Sequence, residues 1–537
     1  MARLTSQLDP RSRQFQERCA HMLANLKVLQ DRLSAVQHAG GPKAAAKLHK
    51  RGKLSARERI ERLVDRDGSF FELSPLAAWD LYDGEAPGAG VVTGIGHVGG
   101  RPVLISANEP RVKGGAIYPV GADKMIRSQQ IAMENGLPTV SLVESAGANL
   151  LFQAELFASG SRGGRGFCNQ ARMSAAGLAQ IAVVFGNATA GGAYVPGMSD
   201  YTVMVKGQAH VYLAGPPLVK AALGEDADDE ALGGAVMHHE ISGLCDYLAE
   251  DDADAIRLAR QIVGNLPKPG HAVLRDAPAL PAYDPEELLG IVPEDLKIPF
   301  DIREVIARLV DASEFDEYRA GYGPTLISGF ARIDGYLCGI LGNNGPLYSP
   351  CAQKATQFIQ LCCQKRCPIV YLQNITGFMV GTEAERGGIV KDGAAMVHAV
   401  STASVPQFTV LVGGSFGAGN YGMCGRAYDP RLLLTWPSSR IAVMGGEQAG
   451  RVLRIVQEEA MRKAGATVDE EDLLALEAGV KAEFDRQSDP YFATAQLWDD
   501  GIIDPRHTRA ALALGLQAAW QRDVFALGKP QFGVFRM

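Results

Sequence analysis

The chain repeats itself. Ile60-Glu61-Arg62-Leu63-Val64-Asp65 returns as Ile306-Ala307-Arg308-Leu309-Val310-Asp311, an offset of 246 residues. A glycine-containing hairpin follows each copy, at Gly94 and again at Gly329. Pro138-Thr139-Val140-Ser141-Leu142 is echoed by Pro368-Ile369-Val370-Tyr371-Leu372 at an offset of 230, and Thr189-Ala190-Gly191-Gly192 by Ser415-Phe416-Gly417-Ala418 at 226. The order never changes, and the offset drifts only as loops gain or lose residues. Such a duplication restricts the fold to two related domains, each with its own core. Two repeated glycine turns point to two pockets built by the same backbone device, one for each of two ligands.

With 537 residues, 47% of them apolar and 21% charged, there is ample material for two cores. A net charge of −7 argues against general nucleic-acid binding, although backbone amides and a few cations can still hold phosphates. The cysteines number nine, an odd count with no CxxC spacing, which indicates reduced thiols in a cytoplasm-like compartment. No apolar run approaches the roughly 18 residues of a membrane span, and Met1-Ala2-Arg3-Leu4-Thr5 lacks the apolar core of a signal peptide. These features predict a soluble cytoplasmic protein with no membrane or nucleic-acid partner.

Met22, Leu23, Leu26, Leu29 and Leu33 share one helical face near the N-terminus. That arm either wraps a partner or packs on its own domain. Ser55-Ala56-Arg57-Glu58 reads as a capping box. Beyond it, Val91–Gly96 and Pro102–Ala107 flank a Gly99-Gly100 turn, and Thr139–Glu144 and Ile181–Phe185 are candidate buried strands, each after a helical stretch. Strands alternating with helices indicate an α/β fold. Proline-rich Leu266–Pro281 is the natural linker, so the expected domains are 1–265 and 285–537, with 266–284 between them. Glu447 to Arg486 and Thr508–Trp520 read as helices.

Gly94-Ile95-Gly96-His97-Val98-Gly99 matches the dinucleotide pattern, but it leads into another strand rather than a helix, so it reads as a hairpin. Gly413-Gly414-Ser415-Phe416-Gly417 matches a hydrolase nucleophile elbow after the strand Phe408–Val412, with Asp504 and His507 downstream in triad order. Thr189 stands in the place of Ser415 in the other copy, so the repeat keeps small residues rather than a nucleophile. The backbone reading explains more. In each copy a strand leads to a small-residue turn and a helix start, where bare amides form an oxyanion hole. Lys113-Gly114-Gly115 can hold a phosphate through amides and a charge. His238-His239-Glu240 lacks a third ligand at metal spacing, so no metal is expected. No GxxxxGK[ST] nucleotide loop and no Met-Lys-Met biotin attachment site occurs; Asp123-Lys124-Met125 comes nearest.

Several stretches resemble the carboxyltransferase (β) subunits of biotin-dependent acyl-CoA carboxylases. They include Arg51-Gly52-Lys53-Leu54-Ser55-Ala56-Arg57-Glu58, Val112-Lys113-Gly114-Gly115, Ala190-Gly191-Gly192-Ala193-Tyr194 and Gln373-Asn374-Ile375-Thr376-Gly377-Phe378. Gly422-Met423-Cys424-Gly425-Arg426, Met444-Gly445-Gly446-Glu447, Trp498-Asp499-Asp500-Gly501 and the terminal Phe532-Gly533-Val534-Phe535-Arg536-Met537 belong to the same set. The resemblance extends over nearly the whole chain and points to the 3-methylcrotonyl-CoA and geranyl-CoA carboxylases. It implies two tandem crotonase-like (ββα superhelix) domains and a homohexamer whose sites join the N-terminal domain of one subunit to the C-terminal domain of another. It also implies a separate α subunit that carries biotin and uses ATP and bicarbonate.

By the same resemblance, the amides of Ala418 and Gly419 stabilise the biotin oxyanion, and those of Gly191 and Gly192 hold the acyl-CoA dienolate, which is carboxylated at the γ carbon. Lys113, Gly114, Gly115 and Ala148 are placed at CoA, with Asn343, Asn344 and Gly345 as further CoA contacts, and Phe378 and Tyr421 at biotin. The acyl pocket takes in Gly163, Phe152 and Tyr194. Methylcrotonyl enzymes carry a Phe where Gly163 stands. The missing ring is expected to open apolar space for a longer chain, which favours geranyl-CoA, with 3-methylcrotonyl-CoA as the alternative. Gly163 as a neutral loop change and a crotonase-fold hydrolase using Ser415 also remain open.

Overall fold

Each half of the chain builds one predominantly parallel sheet, because its apolar strands alternate with helices that cover them. The structure, a computed structural model, describes residues 2–38, 41–66, 70–157, 160–266, 277–365, 367–464 and 469–524. Most of the proposed linker and all of the terminal motif 532–537 lie outside the described residues. The first copy supplies β1 (Phe70–Leu73), β2 (Val91–Val98), β3 (Arg101–Asn108), β4 (Thr139–Ser145), β5 (Gln180–Thr189), β6 (Tyr201–Val205), β7 (His210–Tyr212) and β8 (Tyr247–Ala249). They order as β1-β2-β3-β4-β5-β6-β8, with β7 also paired to β5. The second copy supplies β9 (Asp316–Glu317), β10 (Leu326–Ile333), β11 (Tyr336–Asn343), β12 (Ile369–Ile375), β13 (Gln407–Phe416), β14 (Leu432–Thr435) and β15 (Arg440–Ala442). Their order is β14-β13-β12-β11-β10-β9, with β15 also on β13.

The two sheets agree residue by residue. Val91 pairs with Asn108 in the first hairpin and Leu326 with Asn343 in the second, an offset of 235 at both ends. Both copies carry a register shift at the equivalent place, between Val143 and Ser145 and between Gln373 and Ile375. The turn of each hairpin is clamped identically. Asp65 accepts the Gly99 and Gly100 amides at 2.9 and 2.8 Å, and Asp311 those of Asp334 and Gly335 at 2.9 and 2.7 Å. Arg260 then bonds Asp65 and the Leu63 carbonyl, as Arg509 bonds Asp311 and the Leu309 carbonyl. Gly99-Gly100 is thus a hairpin turn held by a carboxylate, the opposite of a pyrophosphate-binding turn.

Ile105, Val140, Leu142, Ile181, Val183 and Phe185 form the buried heart of the first sheet, closed by Ile60 and Leu63 of the capped helix Ala56–Leu63. Leu326, Leu341, Ile369, Tyr371, Phe358 and Met396 do the same work in the second. The expected capping box is present at Ser55 and Glu58. The N-terminal helix runs Arg13–Gln37 and buries Met22, Leu26 and Leu29, but Leu23 is half exposed, one position off the buried face.

Contacts divide the chain into two compact units. One comprises Asp31–Val273, Ala495–Leu497 and Gln517–Met537; the other comprises Met1–Gln30, Leu274–Thr494 and Trp498–Leu516. The first thirty residues therefore belong with the second copy. Ser6 donates to Glu304, and the Leu4 amide to the Ser313 carbonyl, which fixes them there.

Candidate active site

In each unit the longest parallel strand ends in a sharp turn at a helix start. β5 runs into a short helical turn, Ala190–Ala193, and then the helix Tyr194–Gly197; β13 runs into the helix Ala418–Gly422. Strand register settles which residues correspond. Ser145 pairs with Ala188 and Ile375 with Ser415, so β5 maps on β13 at an offset of 227. Ser415 therefore matches Ala188, not Thr189, which corrects the offset of 226 read from the sequence. With the register fixed, Gly191 corresponds to Ala418, Gly192 to Gly419 and Tyr194 to Tyr421.

The turns are alike in backbone as well as order. Ala190 has φ 53° and its counterpart Gly417 φ 57°, the left-handed region that a residue with a Cβ rarely adopts. Such strain persists where the surroundings enforce it, commonly at functional sites. The next residue is exposed (Gly191, Ala418) and the one after it buried (Gly192, Gly419). Amides in the first turn of a helix have no carbonyl one turn back to receive them, so they are available to a ligand. Gly419 has no room for a side chain, since a Cβ there would lie 2.7 Å from Ile375 Cγ1. At Gly192 the nearest atoms to such a Cβ are those of Ser145, at 3.7 Å. Tyr194 and Tyr421 are 46% and 49% exposed, each with an aromatic neighbour: Phe167 at 5.5 Å and Tyr428 at 5.8 Å between ring centroids.

The scaffolding beneath the turns differs. Under the second, Asn420 donates to Ser415 Oγ at 2.7 Å, Ser415 to Gln373 Oε1 at 2.6 Å, and Gln373 to the Met423 carbonyl at 2.8 Å. This chain ties the middle and the C-terminal end of the helix Ala418–Gly422 to β12. It also removes Ser415 as a nucleophile, because its hydroxyl is fully buried and committed on both sides. Asp504 caps its own turn through the Arg506 amide and pairs with the Arg506 guanidinium, so the triad order in the sequence has no counterpart in space. Beside the first turn the polar groups are ionic. Glu144, at the end of β4, pairs with Lys53 at 2.8 Å and Arg59 at 2.8 Å; Arg59 also pairs with Asp252 at 3.1 Å and stacks on Phe185.

Lys113, Gly114 and Gly115 all have positive φ. Gly115 is obligatory, since a Cβ there would meet the Glu144 carbonyl oxygen at 2.1 Å. The exposed Lys113 ammonium pairs with Glu85 at 2.9 Å. Ala148 is exposed and bridges to Ile117, just as Phe378 bridges to Leu347 in the second unit. The Phe378 ring lies against Gly393 and Gly422, below the Ala418–Gly419 turn.

Two of the three further expected contacts use their side chains within the fold. Asn344 uses its side chain inside the fold, accepting from the Ile302 amide at 2.7 Å and donating to Asp301 at 3.0 Å. Asn343 is fully buried, and its side-chain amide has no hydrogen-bond partner among the described residues. Of that trio, only Gly345 stands in the position equivalent to a CoA-side glycine, Gly115, at the offset of 230 set by the Ile117 and Leu347 bridges.

Phe152 packs into an aromatic trio with Tyr82 and Tyr118, at 5.1 and 5.6 Å. Gly163 has φ +45°, and a Cβ there would lie 2.5 Å from the Phe157 carbonyl oxygen and 2.6 Å from that of Leu156. The direction a ring would take is filled by backbone, so the missing ring leaves no opening at this position. The opening lies elsewhere. An apolar groove of 560 Å³ adjoins the first turn, lined among others by Ala193, Tyr194, Leu213, Val219 and Leu232. His238, on its wall, is occupied by Ser242 at 2.6 Å and the Val211 carbonyl at 2.7 Å. The sequence carries no periodic signal for this groove, whose residues are scattered from Ala193 to Leu244.

Comparisons with known proteins agree with this geometry. A family model described as carboxyl transferase domain matches residues 47–535. A probable methylcrotonoyl-CoA carboxylase beta chain of Drosophila melanogaster is 50% identical, covering 99% of this chain and 95% of its own. A probable biotin-dependent acyl-coenzyme A carboxylase beta2 subunit of Mycobacterium tuberculosis is 51% identical, covering 99% and 100%. The solved geranyl-CoA carboxylase beta subunit of P. aeruginosa superposes with a TM-score of 0.93 at 47% identity, covering 100% of both chains. A duplicated α/β fold with one bare-amide turn per copy, matched over nearly its whole length, belongs to the carboxyl transferase domain family.

Proposed function

We propose that the chain is the carboxyltransferase component of a biotin-dependent carboxylase and carries CO₂ to the γ carbon of a branched enoyl-CoA, with geranyl-CoA preferred. The observation that carries this reading is the pair of equivalent turns, which repeat backbone and small residues and no acid, base or nucleophile. Two oxyanions at two sites are what such a pair can serve.

The residues of the second turn fit biotin. Ala418 is exposed, Gly419 keeps the amides clear of side chains, and Tyr421 and Phe378 supply aromatic walls. Carboxybiotin on a separate α subunit would supply the CO₂ there and, after losing it, a base for the substrate proton. Ala418 and Gly419 hold the ureido oxygen as negative charge gathers on it. Gly191 and Gly192 hold the thioester oxygen as the γ C–H bond of the acyl group is broken and charge spreads to that oxygen. One well-aimed donor of this kind contributes about 2.7–4 kcal/mol to the barrier. Lys113, Gly114 and Gly115, with Ala148, face the CoA portion. ATP and bicarbonate are consumed by the α subunit alone, and the β chains form a homohexameric core.

The groove beside Gly192 supports the longer acyl chain: its walls are mainly apolar, with Tyr194 and Tyr212 among aliphatic side chains, and its one histidine is internally bonded, so it offers mostly contact rather than hydrogen bonds. All nine cysteines are thiols, in keeping with a cytoplasmic protein. Among the described residues no helix is long and apolar enough to cross a membrane.

The test is a comparison of kcat/KM for geranyl-CoA and 3-methylcrotonyl-CoA in the complex with an α subunit. A clear preference for 3-methylcrotonyl-CoA overturns the geranyl assignment and leaves the carboxyltransferase. Leu232→Phe, which narrows the groove, should penalise geranyl-CoA selectively. Gly163→Phe is unsuitable for this purpose, because it rebuilds a loop.

A further inference from the structure

The duplication keeps one buried charge that the chemistry above does not use. Lys124 lies in the helix Pro119–Asn135 and Lys354 in the helix Ser349–Lys365, each five residues after the helix start. Both are buried, 2% and 0% exposed. Among the described residues neither ammonium is paired with a carboxylate; each is received by backbone carbonyls. Lys124 donates to Gly88 at 3.1 Å and Val91 at 2.8 Å. Lys354 donates to Arg319 at 3.0 Å and Tyr322 at 2.9 Å. A buried cation without a counter-ion is costly, and a repeated one demands a reason.

The carbonyls that receive the lysines belong to the segment leading into each hairpin, in the first unit up to Val91 at the start of β2, and that segment supports the loop leading out. Gly88, Ala89 and Gly90 have consecutive positive φ values of 63°, 61° and 71°, which turn their carbonyls inward. The Gly90 carbonyl then accepts the Glu109 amide at 3.0 Å, and a Cβ at Gly90 would stand 3.5 Å from Val112 and 3.6 Å from the Ala116 carbonyl oxygen. Val112 to Ala116 is the segment of Lys113, Gly114 and Gly115. In the second unit the equivalent link runs from the Thr325 carbonyl to the Asn344 amide at 2.8 Å, and Thr325 Oγ1 donates to the Pro346 carbonyl at 2.7 Å. From there Leu347 bridges Phe378, as Ile117 bridges Ala148.

We propose that Lys124 and Lys354 are positioning residues, one for each half-reaction: Lys124 sets the loop that receives acyl-CoA, and Lys354 the loop that backs the biotin wall. The inference rests on the assignment of the first unit to acyl-CoA and the second to biotin. A lysine suits this task because its three donors can gather several carbonyls at one point, which no neutral apolar residue does.

The test uses the full chain, alone and with its α subunit. Acyl-CoA affinity is measured by titration calorimetry with geranyl-CoA and 3-methylcrotonyl-CoA as probes; the biotin side is read as the biotinylated α-subunit concentration at half-maximal rate. Lys124→Met should weaken acyl-CoA binding about tenfold, the scale of a site displaced by a fraction of an ångström, and leave the α-subunit requirement within about twofold. Lys354→Met should do the reverse. Equal loss of thermal stability in both variants, with both readouts unchanged, overturns the proposal, as does an equal effect of either variant on both sides. If Lys124→Met does not fold, Gly90→Ala perturbs the same loop with the lysine intact and should also weaken acyl-CoA binding; unchanged affinity overturns the proposal. Failure of the unsubstituted chain to bind either acyl-CoA refutes the functional assignment itself, and the role of the lysines falls with it.

Discussion

The first unit and the second share a backbone and differ in what lies beneath it. Their turns coincide in strand register, in the left-handed residue at Ala190 and Gly417, and in the tyrosine that follows. Beside the first turn, Lys53, Glu144, Arg59 and Asp252 form a largely buried ionic cluster; beneath the second, Gln373, Ser415 and Asn420 form a neutral chain. Asn374, which matches Glu144, accepts the Gly414 amide instead of pairing with a cation. What the duplication conserves is the placement of amides, and what it lets go is the chemistry that holds them. That pattern is expected if the work is done by the backbone and each supporting shell has adapted to a different ligand.

The comparison predicts unequal responses to the same substitution. Gly419→Ala drives a Cβ into Ile375 Cγ1 at 2.7 Å and the Gly377 backbone at 3.1 Å. It should lower kcat by about a hundredfold or more, as loss of an oxyanion donor does. Gly192→Ala meets nothing nearer than 3.7 Å and should stay within about tenfold of the parent by the same measure. Equal losses would mean that the two turns are not held differently.

The hairpin clamps come next. Asp311→Ala leaves Arg509 and two turn amides unmatched in a site where the Asp311 side chain is 9% exposed; Asp65→Ala does the same where the side chain is 25% exposed. The first should cost about 3 kcal/mol and the second about 1 kcal/mol, read from denaturant unfolding of each variant. The Gly100 and Gly99 amides and Arg260 outweigh burial and lower the Asp65 pKa. Its contribution is therefore present above the ordinary aspartate pKa and is lost as pH falls through the lowered value.

A smaller effect separates the lysines from ordinary surface cations. Burial outweighs the attraction of Glu72, with Arg57 adding repulsion, and takes Lys124 from 10.5 down to about 8. Between those values the unfolded chain binds more protons than the folded one, so the Lys124 contribution to stability should rise with pH. Lys124→Met should remove that slope, seen as a flatter stability profile over this range. Of the same order as Asp65→Ala, Ser55→Ala breaks the capping box of Ala56–Leu63 and should cost about 1 kcal/mol; Asp301, which caps the equivalent helix Ile302–Leu309 without a box, gives the comparison.

Much of this was legible in the residues. Hairpins, buried strands and the capping box follow from local chemistry: alternation, paired glycines, and Ser-x-x-Glu before an apolar face. The two turns were legible because both copies repeat them. What escaped depended on direction in space. Ser415 was matched to Thr189 because identity of small residues cannot show register, whereas pairing with β4 and β12 can. Gly163 was read as an emptied position because a sequence does not say where a Cβ would point; at φ +45° it points into carbonyls. The burial of Lys124 and Lys354 is not encoded by their local sequence, although their common offset of 230 matches that of Pro138 and Pro368 and marks them as equivalent. The first thirty residues joined the second unit through Ser6 and Glu304, a contact spanning nearly three hundred residues that no local pattern encodes.

The central claim is that backbone amides, and no side-chain nucleophile, carry the chemistry. Its most direct test is ATP-dependent fixation of radiolabelled bicarbonate by the chain with its α subunit and an enoyl-CoA, comparing Ser415→Ala with Gly419→Ala. The account predicts fixation that survives Ser415→Ala within about tenfold, since only a buried hydrogen-bond link is lost, and that collapses in Gly419→Ala. Fixation abolished by Ser415→Ala and retained in Gly419→Ala would contradict it.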